Sequence, residues 1–202
     1  MGRLLYEFAK QGFKAQGNEF SYYMLLCSNF ILNCTTKKEE FEILPFIHSF
    51  SNVFWEDAPF KSFKVPDENL MEELSKNPEG EMSMVAGEFI DVYKKQTSSW
   101  YSVVTCFFID TASNIIDYIE TIHSILKVGG LWVNFGPLLY HYSEMEKECS
   151  IELSWDELKH IISNMGFDIK KEEIRECMYS SELDSMLKTV YRCIYFTAVK
   201  VK

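Results

Sequence analysis

Two acidic side chains and a histidine stand where a folded chain could present them to a ligand. Asp110 closes an almost unbroken apolar run from Tyr101 to Ile109, the pattern of a parallel strand covered on both faces, and so falls at a strand's carboxyl end. Glu19 ends a second, shorter strand predicted over 13–17, and His141 follows a third apolar run, 131–136, by a short loop. Open α/β sheets bind ligands along the carboxyl edge of their strands, so His141 and Asp110 are expected on one edge, with Glu19 and Asp110 converging along one rim. Such a set suits orientation chemistry: a carboxylate there can accept from hydroxyls or from a ring N–H, and can balance positive charge as it develops. An Asp just before a helix is also a common N-cap, and the two roles are compatible. His48, His123 and His160 lack a comparable setting and read as helix-face or loop residues. The His, Cys and carboxylate positions show no metal-ligand spacing, and no Ser-His-Asp arrangement stands out.

The elements that must position these groups are legible in the apolar pattern. Ile115, Ile119, Ile122 and Leu126 recur at helical spacing, predicting an amphipathic crossover helix over 112–127. Gly129 and Gly130 then close that helix before the strand 131–136, giving a strand-helix-strand unit. Arg3 to Gln11 predicts a helix with Leu4, Leu5 and Phe8 on one face and Gly12 as terminator. A second apolar helix is predicted over 21–33. The stretch 35–80, with four prolines and acidic residues between aromatic ones, reads as an irregular, cap-like insertion. Ser154-Trp-Asp-Glu157 is a capping box opening a helix with Leu158, Ile161, Ile162 and Met165 inward and Gly166 at its close. A strand is expected at 167–169, an acidic and partly helical segment at 171–190, and a last strand at 191–199 that finishes in a hairpin.

At 202 residues and 47% hydrophobic content the chain can bury one substantial core, and no linker-like tract divides it, so one domain is expected. Its six cysteines show no CxxC pair, which fits reduced thiols in cytoplasm or nucleus, and neither a signal peptide nor a membrane span is read at the amino terminus. A formal charge of -10 without a Lys/Arg cluster argues against nucleic acid and favours a small or basic substrate.

The helix end, Gly-Gly turn and apolar strand at 125–136 resemble S-adenosylmethionine-dependent methyltransferases of the Rossmann-like class I fold. Four further words narrow the likeness: Gln16-Gly-Asn-Glu-Phe-Ser21, Cys106-Phe-Phe-Ile-Asp-Thr-Ala112, Asn114-Ile-Ile-Asp-Tyr-Ile119 and Gly136-Pro-Leu-Leu-Tyr-His141. Together they closely resemble the carnosine N-methyltransferase family over nearly the whole chain. The resemblance implies S-adenosyl-L-methionine as cofactor, no metal, a histidine-containing dipeptide as substrate with anserine as product, and a possible homodimer. It begins inside the family's glycine-rich loop, at Gly2-Arg3-Leu4, which implies a first strand and a helical region upstream of this sequence.

Residue by residue, the resemblance gives Glu19 the ribose hydroxyls and Gly2 a place in the cofactor loop. It gives Glu88 and Phe89 the adenine, with Glu where the family commonly has Asp, and Cys106 a contact to the adenosyl moiety. Asp110 is the candidate catalytic and substrate-orienting carboxylate, with His141 and Tyr191 as substrate contacts. Two other readings stay open: histidine methylation within a protein, and a catalytically impaired homologue that binds or regulates.

Overall fold

Parallel strands need a helix to carry the chain back to the starting edge, and this sequence supplies helices at each such return. In the computed structural model, which describes residues 2–180 and 184–202, the chain falls into two units: residues 1–89 with 182–188, and residues 90–181 with 189–202.

In the first unit, α1 (Arg3–Lys10) leads into β1 (Lys14–Glu19), α2 (Tyr22–Asn33) follows, and β4 (Glu81–Ala86) pairs parallel to β1 from Lys14 opposite Glu81 to Glu19 opposite Ala86. The buried face of α1 is Leu5, Tyr6 and Ala9, whereas Leu4 is exposed, a rotation from the predicted Leu4, Leu5 and Phe8 face. The reason is polar: the Tyr6 hydroxyl donates to Glu68 at 2.7 Å and Lys10 Nζ to the same carboxylate at 2.7 Å, turning that side inward. The stretch 35–80 is less irregular than its prolines suggest. It holds an antiparallel pair, β2 (Phe41–Ile43) with β3 (Phe63–Val65), a 3-10 turn at Ala58–Phe60, and α3 (Leu70–Ser75), capped by Asn69 accepting from Glu72 N–H.

Helix α4 (Phe89–Tyr93) leads into the second unit, a four-stranded sheet ordered β5 (Trp100–Cys106), β6 (Leu126–Gly136), β8 (Tyr191–Lys200), β7 (Phe167–Cys177). β5 and β6 are parallel, and β8 is antiparallel to both β6 and β7. α5 (Ile115–Ile125) and α6 (Trp155–Asn164) supply Ile115, Ile119, Ile122, Leu158 and Ile162 to the core, against the buried sheet residues Trp132, Phe196 and Ala198. The capping box at Ser154 and Glu157 forms as the sequence predicts.

Three expectations change here. β5 is an edge strand of its sheet, bonded to β6 alone among the described residues, and its two faces are largely open: Tyr101 is 76% exposed and, within β5, only Thr105 is buried. α5 stops at Ile125 and the strand begins at once with Leu126 opposite Trp100. Gly129, at φ +81°, therefore makes a bulge inside β6, which the pairing shows as a jump from Leu126 to Leu131 while β5 advances only from Trp100 to Ser102. Lys200, 7% exposed, takes over the capping that the glycines were expected to do, donating to the carbonyls of His123 at 2.7 Å and Leu126 at 3.0 Å. Finally, 171–177 is strand, not helix. β7 is an outer strand whose charged residues face solvent or pair locally, as Lys159 does with Glu172, and an edge strand tolerates that composition.

Candidate active site

In the first unit, Glu19 is the last residue of β1 and its Oε1 accepts the N–H of Ser21 at 2.7 Å, so the acid is held at the strand end by its own loop. Its carbonyl accepts the N–H of Gly87 at 3.1 Å, and Asn18 Nδ2 donates to the Gly87 carbonyl at 3.1 Å. These bonds bring Gly87 and the following Glu88 to the carboxyl edge that Glu19 occupies. Phe89 is buried there as the first residue of α4.

Gly2 sits at φ +72° before α1, a conformation that glycine adopts without a Cβ penalty. A Cβ on it would lie 3.0 Å from Ser28 Oγ and 3.8 Å from Met84 Cε. Met84 pairs with Gly17 on β1, so Gly2 lies beside the β1–β4 strand pair. Ser28 Oγ is buried without a hydrogen-bond partner, the sort of orphan that a bound polar group satisfies. A carboxylate offers about four acceptor sites, and Ser21 uses one, so Glu19 retains capacity for a vicinal diol. The residues present therefore fit a nucleoside cofactor.

In the second unit, Asp110 lies four residues beyond β5, in the 3-10 turn Ile109–Thr111, and is 3% exposed. It is not the cap of α5. Asn114 does that work, accepting from the Ile116 N–H at 3.0 Å. Asp110 Oδ2 instead accepts the N–H of Leu139 at 3.0 Å, and its carbonyl accepts the N–H of His141 at 3.0 Å. The 139–141 loop and the 3-10 turn are thus stapled to each other through one residue. Burial pushes the Asp110 carboxyl above its ordinary range, opposed by the Leu139 and Asp110 N–H groups and by the neighbouring His141. The histidine side chain itself is exposed. Behind it, the Tyr140 hydroxyl donates to Leu153 O at 2.7 Å and accepts from Leu153 N–H at 3.1 Å, fixing the loop's far end.

Three residues before Asp110, Phe107 takes φ +49°, uncommon for a residue with a side chain. Its N–H donates to Phe135 O at 2.7 Å, and the adjacent Gly136 has no Cβ, which would stand 3.1 Å from Phe107 Cα. The Phe107 ring is thereby turned against Phe135 (5.8 Å between centroids), Tyr179 (4.8 Å) and Tyr191 (6.0 Å). Sequence reasoning named Tyr191 and missed Phe107 and Tyr179, because nothing in an apolar run announces a left-handed residue. Cys106, the last residue of β5, keeps an exposed side chain, yet desolvation and then the nearby Cys177 push its thiol up. Burial raises Cys193 as well, with Cys177, Cys106 and Asp110 adding to it. Both thiols are therefore protonated at neutral pH and poor nucleophiles.

Gly2, Glu19, Glu88 and Phe89 thus belong to the first unit, and Cys106, Asp110, His141 and Tyr191 to the second. Among the described residues no helix is long and apolar enough to cross a membrane.

The fold is that of the S-adenosylmethionine-dependent methyltransferases. The crystal structure of one from Methanosarcina mazei aligns with a TM-score of 0.63 at 12% identity, covering 99% of this chain and 88% of that one. At the level of sequence the likeness is narrower. The family model described as carnosine N-methyltransferase matches residues 1–202, and the chain belongs to that family. It is 44% identical over 203 residues to the carnosine N-methyltransferase of Dictyostelium discoideum, covering all of this chain and 43% of that protein. The Rattus norvegicus carnosine N-methyltransferase is 41% identical, covering 99% of the chain and 49% of the rat protein. The Schizosaccharomyces pombe one is 40% identical, covering 97% and 55%. The chain spans about half the length of the curated relatives it matches.

Proposed function

We propose that this chain carries the methyl-transfer site of an S-adenosylmethionine-dependent N-methyltransferase whose acceptor is an imidazole nitrogen of carnosine, giving anserine. Family membership supports the acceptor. The observation that carries the chemistry is Asp110, a carboxylate 3% exposed and held in place by the Leu139 N–H, with the cap of α5 supplied by Asn114 instead.

S-adenosylmethionine, when bound, supplies a methyl group on a sulfonium. Glu19 would hold the ribose hydroxyls, Glu88 and Phe89 the adenine, and Gly2 the close approach of the chain to the cofactor. What remains for the protein is to present a neutral nitrogen lone pair in line and to exclude water. An imidazole has two tautomers, and a carboxylate accepting from one ring N–H leaves the lone pair on the other nitrogen. Asp110 does this for the acceptor and stabilises the imidazolium as the new N–C bond forms and the S–C bond breaks. The proton lost afterwards is the one on the nitrogen Asp110 holds. Phe107 and Tyr191, whose rings meet at 6.0 Å, would flank the acceptor ring, and His141, exposed on the loop stapled to Asp110, would meet the rest of the dipeptide.

The full-length protein incubated with methyl-labelled S-adenosylmethionine and carnosine should yield labelled anserine. Label transferred to histidine in a protein, with none in the dipeptide, would sink the reading.

A further inference from the structure

Helix α2 buries the opposite of what its composition suggests. It carries no charged residue, and Tyr22, Tyr23, Met24, Leu26 and Phe30 are all exposed, yet the one residue the helix buries is Ser28, at 4% exposed. A hydroxyl taken out of water is unfavourable unless a partner meets it there. Serine and threonine on helices commonly bond the carbonyl one turn back, as Thr35 does with Ile31 O at 2.7 Å just past α2 and Thr121 with Asp117 O at 2.8 Å in α5. Ser28 Oγ does not, and it has no hydrogen-bond partner among the described residues.

What the hydroxyl faces is Gly2. The side-chain atom nearest to where a Gly2 Cβ would stand is Ser28 Oγ at 3.0 Å, followed by the apolar Leu32 Cδ1 at 3.5 Å and Met84 Cε at 3.8 Å. Gly2 is also the N-cap of α1, at φ +72°, and α1 receives no side-chain cap. An unpaired buried hydroxyl therefore lies against the main chain of an uncapped helix start, with every residue involved in the first unit. Alanine would fill the same buried place without the unpaired oxygen, so packing alone gives no reason for serine there.

We infer that Ser28 is a positioning residue for the cofactor: its hydroxyl bonds the main chain at Gly2 when S-adenosylmethionine is seated, and so holds the close approach of the chain to the cofactor from behind. This rests on the methyl-transfer reading above. Ser28 acts through Gly2 and touches neither cofactor nor acceptor. A hydroxyl left unpaired destabilises the free protein, and pairing it on binding adds to affinity.

The test uses the full-length protein and reads S-adenosylmethionine binding directly, by calorimetry. Ser28→Ala should raise the cofactor Kd about fivefold, the worth of one net hydrogen bond, and the cofactor KM with it, while kcat and the carnosine KM stay within about twofold. The melting temperature without cofactor should stay level or rise, because the variant removes an unpaired buried oxygen. With cofactor bound, the amides of residues 2–5 should exchange faster in the variant than in wild type. Should Ser28→Ala fail to fold, Ser28→Cys, close in shape with a far weaker donor, should show the same loss of affinity. A Kd within about twofold of wild type in the folded variants overturns the assignment. So does a cofactor-free melting temperature that falls along with affinity, which makes Ser28 a packing residue, and so does unaltered exchange at residues 2–5, which places the hydroxyl on the cofactor itself. A wild type that binds S-adenosylmethionine without methylating carnosine removes the acceptor reading and leaves Ser28 to be decided by these measurements, whereas one that binds no S-adenosylmethionine overturns both.

Discussion

Asp110 is held at a cost. Its carboxyl is desolvated, and the ordinary carboxylate range lies below its value in the folded protein. A group with a raised folded pKa contributes stability that is fully present below its unfolded pKa and is lost as pH rises through the folded one. Asn at this position keeps an acceptor for the Leu139 N–H and removes the buried charge. Asp110→Asn should therefore be at least as stable as wild type at pH 7, an advantage that fades as pH falls toward 3.8, checked by denaturant unfolding at several pH values. The same variant should bind cofactor normally and lose methyl transfer by about tenfold or more, about 1.4 kcal/mol of barrier. Steady-state kinetics with carnosine decide it, and undiminished turnover would remove Asp110 from its role. The sequence exposed Asp110 as a candidate and left a helix cap as a second, compatible role for it. The bond from Ile116 N–H to Asn114 takes the cap away from Asp110.

At the scale of elements, β5, β6 and β8 are joined by a buried polar chain that no periodicity reveals. Trp132 Nε1 donates to Thr105 Oγ1 at 2.9 Å, that hydroxyl donates to Asn134 Oδ1 at 2.8 Å, and Asn134 Nδ2 donates to Ile194 O at 3.2 Å. Asn134→Leu removes the bonds to Thr105 and Ile194 and leaves the Thr105 hydroxyl only the longer 3.4 Å approach to Val133 O, which should cost about 1–3 kcal/mol in chemical denaturation. The helices were legible because α5 and α6 bury one stripe each, and the capping box at Ser154 marked a start without ambiguity. Strand limits were harder. β6 starts at Leu126 because Lys200, seventy-four residues away in sequence, satisfies the carbonyls at the end of α5. β7 runs to Cys177 because β8 offers it partners along its whole length, overriding a charge pattern that suggested helix.

For the whole molecule, the proposed cofactor residues Gly2, Glu19, Glu88 and Phe89 all belong to the first unit, so a cofactor test can be made there. A cofactor that binds the folded state alone stabilises it by about 2.7 kcal/mol at a hundredfold excess over Kd. S-adenosylmethionine should accordingly raise the melting temperature of the full-length protein, and Glu19→Ala should abolish most of that rise while leaving the melting temperature without cofactor little changed. A Glu19→Ala protein with normal cofactor affinity but altered dipeptide affinity would show the two subsites to be exchanged.

What the sequence determined by itself was a set of local matters: helix periodicity, the capping box, strand ends at Glu19 and near Asp110, and the motif words that carry the family. These depend on neighbours a few residues apart, and so are written in the order of the chain. Only the tertiary structure decided that Phe107 turns its ring toward Tyr179 and Tyr191 and that Lys200 closes α5. Each of those joins groups dozens of residues apart, whose approach depends on the sheet order β5-β6-β8-β7 and on buried polar atoms finding partners, and neither is encoded in any short stretch.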